Sequence, residues 1–126
     1  MTPAVEQIYH TLGNYVVRAI PDDWAVAWVI AEIEDEHSGI TFGRYKKTLE
    51  PNQRLYNFHT DRTVYAAFDQ MRGLLRTEGK DPWTRAIFTL LPSGRFRIEL
   101  EYGPLEGTQV ERMLAVEARK NAETAI

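Results

Sequence analysis

The sequence predicts an α+β domain: a mostly antiparallel sheet of about five strands with helices packed on one face, in the order α-β-β-β-α-β-β-α. Three observations lead to that class. The segment from Pro82 to Tyr102 reads as two strands joined by a Pro92-Ser93-Gly94 turn, the second alternating strictly between apolar and charged residues. Two stretches, Ile8 to Ile20 and Val64 to Leu75, repeat apolar residues at helical spacing. The remaining strand-like runs are joined by hairpin-length turns, which favours antiparallel pairing over parallel crossovers.

The first helix opens with Thr2 as N-cap and Pro3 at the first helical position, places Ile8, Leu12, Val16 and Ile20 on one side, and ends near Pro21. After Asp22-Asp23, Trp24 to Ile33 is a strand on its Val, Ile and Trp content. Ile40 to Leu49 is its hairpin partner across His37-Ser38-Gly39, and Arg54 to Phe58 is a short third strand after Pro51-Asn52-Gln53. Asp61 or Thr60 caps the second helix, in which Val64, Ala67, Phe68, Met71, Leu74 and Leu75 share a face before Gly79 stops it. Trp83 to Leu91 and Arg95 to Tyr102 form the later hairpin. In its second strand Phe96, Ile98, Leu100 and Tyr102 point one way and Arg95, Arg97, Glu99 and Glu101 the other. Thr108 to Glu111 is a capping box, and the last helix it opens has Val110, Met113, Leu114 and Ala118 on its apolar side.

With 126 residues, 44% hydrophobic and 26% charged, the chain has the size and composition of one globular domain spanning residues 1–126. No apolar run approaches the roughly 20 residues of a spanning helix, and the N-terminus lacks a secretory pattern, so the expected location is cytoplasmic with no membrane partner. The absence of cysteine excludes disulfides, thiol nucleophiles and thiolate-bound zinc. A net charge of −3 argues against direct binding to nucleic acid and favours a basic partner. The acid is concentrated at Glu32, Glu34, Asp35 and Glu36, shortly before Arg44, Lys46 and Lys47.

Catalytic and cofactor signals are sparse. His10, His37 and His59 are scattered, with no metal or triad spacing, and there is neither a phosphate-binding glycine loop nor a nucleophile elbow. No cofactor or metal is expected. Glu32/Glu34 and Glu99/Glu101 each place two carboxyls on one strand face, roughly 6.6 Å apart, a separation that hydrolases use and that any solvated strand also produces. The strand from Trp24 carries two apolar faces, Ala27, Val29, Ala31 and Ile33 on one and Val26, Trp28 and Ile30 on the other. Either it is buried on both sides, or Trp28 belongs to an apolar patch edged by acid, as interfaces prefer.

The run Ile20-Pro21-Asp22-Asp23-Trp24 leading into Ala31-Glu32-Ile33, followed by Asp81-Pro82-Trp83-Thr84, Leu91-Pro92-Ser93-Gly94-Arg95-Phe96 and Tyr102, resembles the YezG-like immunity proteins of bacteria. The similarity in element order extends over nearly the whole chain, with the weakest match from Thr41 to Thr60. The resemblance implies an antitoxin that binds the C-terminal domain of a co-encoded polymorphic toxin, often a nuclease, and inhibits it stoichiometrically without catalysing a reaction. Its acidic character suits that target, because a surface that holds phosphates is basic. The expected partner-binding residues are Glu32, Glu34, Asp35 and Glu36 with Trp28 as an apolar anchor, and Tyr45 and Tyr56 as further candidates. The alternatives are a small carboxylate-dependent hydrolase and a protein-binding adaptor unrelated to toxins.

Overall fold

Thr2 caps α1 (Pro3–Ala19) by accepting a hydrogen bond from Val5 N–H at 3.3 Å. The helix stops because Ile20 precedes Pro21 and is forced into extended backbone, with ψ at 114°. The computed structural model describes residues 2–35, 38–76 and 79–123, with Asp35 and Ser38 described in their backbone alone. Two positions singled out in the sequence, Glu36 and His37, lie outside the described residues.

The strands are β1 (Val26–Asp35), β2 (Ser38–Lys46), β3 (Tyr56–Phe58), β4 (Arg85–Leu90) and β5 (Phe96–Glu101), with α2 (Arg62–Leu74) and α3 (Gln109–Ala122) in the expected places. Asp61 accepts from Thr63 N–H at 2.8 Å to cap α2, and Thr108 accepts from Glu111 N–H at 3.1 Å to cap α3. Among the described residues the element order and the antiparallel sheet of five strands are those the sequence implied, and the strands lie in the order β3-β2-β1-β4-β5. β1 and β2 both begin and end differently from expectation, β1 running on to Asp35 and β2 starting at Ser38 and ending at Lys46, while β3, β4 and β5 are shorter than expected. Beyond Lys46 the chain bends through Lys47 to Glu50, and Glu50 turns its carbonyl onto the Lys46 ammonium at 3.0 Å instead of continuing the ladder.

The central position of β1 decides the question its two apolar faces raised. Ala27, Val29, Ala31 and Ile33 face α1 and α2 in the larger core, with Leu12, Val16, Phe68, Met71 and Phe88. Val26, Trp28 and Ile30 face the opposite way, against Ile87 and Val116. The strand is therefore buried on both sides. In line with expectation α1 and α2 share one face of the sheet, but α3 lies across the other. The cause is the turn of apolar side chains on β1 and β4 toward that second face, which needs a cover.

The contacts of α3 also correct its phase. Val110 and Leu114 are 58% and 55% exposed and Ala118 is exposed, while Met113, Val116 and Lys120 turn toward the sheet. A buried face that includes charges is stable only if each finds a partner, and here each does. Arg112 meets Glu32, Glu117 meets Arg44 at 2.6 Å, and Lys120 meets Glu99 at 3.2 Å. Fully buried Lys46 donates to the carbonyls of Asn121 and Glu123, closing the C-terminal end of α3. Burial pushes the Lys46 ammonium below its usual pKa. Of the β5 charges that suggested a wet face, Glu99 meets Arg119 and Lys120 of α3 and Glu101 meets Arg85 of β4, while Arg95 and Arg97 are exposed.

Burial alone would raise the Glu99 carboxyl, but Arg119 and Lys120 together outweigh it and hold its pKa below the usual value. A depressed carboxylate adds stability above its unfolded pKa, about 4.3, and that contribution disappears as pH falls through the folded value. Thermal melting is accordingly expected to lose stability between about pH 5 and pH 3, with a shallower slope in Glu99→Gln. A second expectation concerns Gly43, where an added Cβ would stand 2.6 Å from the Phe58 ring. Gly43→Ala is expected to cost about 1–3 kcal/mol by overpacking the β2–β3 contact, as read from denaturant midpoints.

Candidate partner interface

The residues expected to bind a partner do not form one surface. Trp28 is 1% exposed beneath α3, and Tyr45 is 3% exposed in the larger core. Glu32, 5% exposed, receives two hydrogen bonds from Arg112, from Nε at 2.9 Å and from Nη2 at 3.0 Å, and lies 3.8 Å from Arg85. Such a two-pronged pair fixes the rotation of α3 over the sheet. Glu34 is exposed at the far end of β1, next to the backbone of Asp35.

Tyr45 and Tyr56 sit at the opposite end of the sheet, since Tyr45 pairs with Ala27 and with Tyr56 in the ladders. The seven steps from Ala27 to Glu34 span roughly 23 Å of strand, so the two groups occupy separate ends. Around the tyrosines the rings stack at 5.3 Å, the Tyr45 hydroxyl donates to Asp22 at 2.8 Å, and burial followed by that bond raises the hydroxyl's pKa. Half-buried Tyr56 carries the Lys47 ammonium 4.5 Å and the Arg54 guanidinium 5.0 Å from its ring centre. This end is aromatic and carries charges of both signs, with Lys47 3.6 Å from Asp22.

The end bearing Glu34 is acidic. Arg112 there donates to the carbonyls of Glu106 at 3.3 Å and Gly107 at 2.7 Å as well as to Glu32, so one guanidinium joins β1, the segment before α3, and α3 itself. The Glu32 hydrogen bonds, and then the fields of Glu32, Glu34 and Glu111, raise its pKa further. With that cation paired to Glu32, the exposed carboxylates of Glu34, Glu106 and Glu111 face outward. Beside them Tyr102, Val110 and Leu114 are 64%, 58% and 55% exposed. A cleft of about 460 Å³ lined by Tyr102, Pro104, Leu105, Glu106 and Arg112 opens at the same end. Apolar groups rimmed by like charges are the make-up of a protein-binding surface for a basic partner.

Glu106, Glu111, Tyr102, Val110 and Leu114 escaped the sequence reading of the site. Glu111 stood out only as part of a cap, and Val110 and Leu114, one turn apart, read as a buried stripe. The chemistry-bearing pairs resolve into structural ones. Glu99 is held by Arg119 and Lys120, Glu101 by Arg85, and Glu32 by Arg112, and the depressed pKa of Glu99 is the opposite of what a general acid needs. His10 and His59 are exposed. Among the described residues no group of three or more His, Asp or Glu side chains is placed to hold a metal.

The sequence model of a family described as "Immunity protein YezG-like" matches residues 5–120. Immunity protein YezG of Bacillus subtilis (strain 168) is 22% identical over 121 residues, spanning 85% of this chain and 79% of that protein. Type VII secretion system protein EsaG of Staphylococcus aureus (strain NCTC 8325 / PS 47) is 24% identical over 114 residues, 78% of this chain and 68% of that protein. Immunity protein YezG of Bacillus spizizenii (strain ATCC 23059 / NRRL B-14472 / W23) is 24% identical over 115 residues, 80% of this chain and 70% of that protein.

Proposed function

We propose that this chain, which belongs to the YezG-like immunity protein family, binds the C-terminal domain of a toxin encoded with it and neutralises that toxin stoichiometrically, without turnover. The observation that carries the reading is the family match over residues 5–120. The acidic end gives it a physical form: Glu34, Glu106 and Glu111 meet a basic surface, while Tyr102, Val110 and Leu114 supply apolar contact. A nuclease is the target this end suits best, because its phosphate-binding surface is basic and accepts carboxylates in place of phosphates. The relative named as a type VII secretion system protein supports a toxin delivered by secretion. The producing cell would then hold the antitoxin in its cytoplasm.

Glu34 is common to this interface and to the one expected from sequence. Asp35 and Glu36, also expected from sequence to bind the partner, follow it directly in the chain. Glu32 supports the surface from beneath through Arg112, Trp28 is buried under α3, and Tyr45 and Tyr56 with Lys47 and Arg54 belong to the other end of the molecule. Co-expression with the neighbouring toxin domain tests the reading. Growth protected by the intact chain, with the two proteins purifying together, is the expected result. Unrelieved toxicity and no complex would overturn it.

A further inference from the structure

β5 is an edge strand, and among the described residues it pairs with β4 alone. Arg95 accepts at its carbonyl from Leu91 N–H at 2.8 Å and Glu101 from Thr84 N–H at 2.9 Å, so the odd-numbered residues aim their backbone groups at β4. Phe96, Ile98 and Leu100 therefore present N–H and C=O to the open side. Edges of this kind are normally blunted by proline, a bulge or a covering loop. This one has six residues, no proline and a continuous ladder to β4. The chain beyond it turns inward over β4, where Gly103 accepts from the Thr84 hydroxyl at 2.7 Å.

The charges on the strand are antisymmetric about its middle. Arg95 and Arg97 precede Ile98, and Glu99 and Glu101 follow it. We propose that β5 pairs antiparallel with β5 of a second copy of this chain about a two-fold axis at Ile98, joining the two sheets into one. Arg97 then stands opposite the second copy's Glu99, Arg95 opposite its Glu101, and Phe96 opposite its Leu100. Ile98 faces its own copy in a hydrogen-bonded pair, as the outward direction of its backbone requires. The other symmetric registers set like charges directly opposite each other, and an axis on Arg97 or on Glu99 opposes that residue to its own copy. Centring on Phe96 sets Arg95 against Arg97, and centring on Leu100 sets Glu99 against Glu101, both like-charge pairs directly opposite each other.

Apolar contact points to the same register. Phe96 is 37% exposed although its ring lies 4.9 Å from Tyr9 and 5.6 Å from Phe88. The second copy's Leu100 would cover it and close one side of the groove lined by Tyr9, Val17, Phe88 and Leu91. The pairing leaves Glu34, Glu106 and Glu111 outside the joint, and its last pair, Arg95 with the second copy's Glu101, adjoins the cleft beside Tyr102.

A chain without cysteine makes the test direct. Sedimentation equilibrium of the free protein is expected to show a dimer at concentrations up to about 1 mM. Ile98→Cys is expected to cross-link to itself under mild oxidation, because directly opposed hydrogen-bonded residues stand about 5.5 Å apart at Cα, within disulfide reach. Arg97→Cys alone is not, since its opposite residue is Glu99. Arg97→Glu places like charges across the joint twice per dimer and is expected to weaken association at least tenfold, with an unchanged melting curve at low concentration showing that the monomer still folds. A monomer throughout that concentration range would overturn the proposal. So would cross-linking of Arg97→Cys as efficient as that of Ile98→Cys.

Discussion

Trp28→Ala is expected to lose about 3–5 kcal/mol of folding stability, a large share of the roughly 5–15 kcal/mol that holds a domain of this size together. Trp28 is among the largest fully buried side chains, packed with Val26, Ile30, Ile87 and Val116 beneath α3. Its removal leaves a cavity that neither the sheet nor a helix pinned by Glu32–Arg112 and Arg44–Glu117 can collapse to fill. Denaturant unfolding measures the loss. An interface anchor behaves in the opposite way, with affinity for the partner falling while stability is kept, and that pattern would place Trp28 on the surface after all.

The second large effect belongs to the acidic end. Glu34→Lys combined with Glu106→Lys is expected to weaken toxin binding at least 100-fold, since close charge pairs across such interfaces couple by about 1.5–7 kcal/mol each. Both side chains are exposed, so the variant should melt as the parent does. The loss is expected mainly in the association rate at low salt, where long-range attraction operates, and should shrink as salt rises. Arg54→Glu at the opposite end is the matched control. Its affinity should stay within a few-fold of the parent, and binding that falls equally at both ends would refute the assignment of the interface.

The order of elements was legible in the sequence because local signals set it: Thr2, Asp61 and Thr108 cap the three helices, and Pro92-Ser93-Gly94 turns the later hairpin. Which face α3 covers was not. Its inward side is held by Arg112, Glu117 and Lys120, and charges on a helix read as solvent-facing until their partners on other strands are known. The same cause hid the site. Glu32 looked available because sequence shows a carboxylate and not the Arg112 that encloses it, 80 positions away. Val110 and Leu114 looked buried because their one-turn spacing is that of a core stripe, whereas the helix turns them outward. Trp28 allowed two readings, and only the cover of α3 over its face of β1 decided it.

The central claim is that this protein inhibits a toxin by occupying it. Titration of the purified toxin domain with the intact chain, following toxin activity and heat of binding together, tests it most directly. The account predicts a single binding event at one antitoxin per toxin, with activity lost in proportion and the loss reversed by Glu34→Lys with Glu106→Lys. Toxin activity that persists at saturation, or that disappears at a small fraction of one equivalent as turnover would produce, contradicts it.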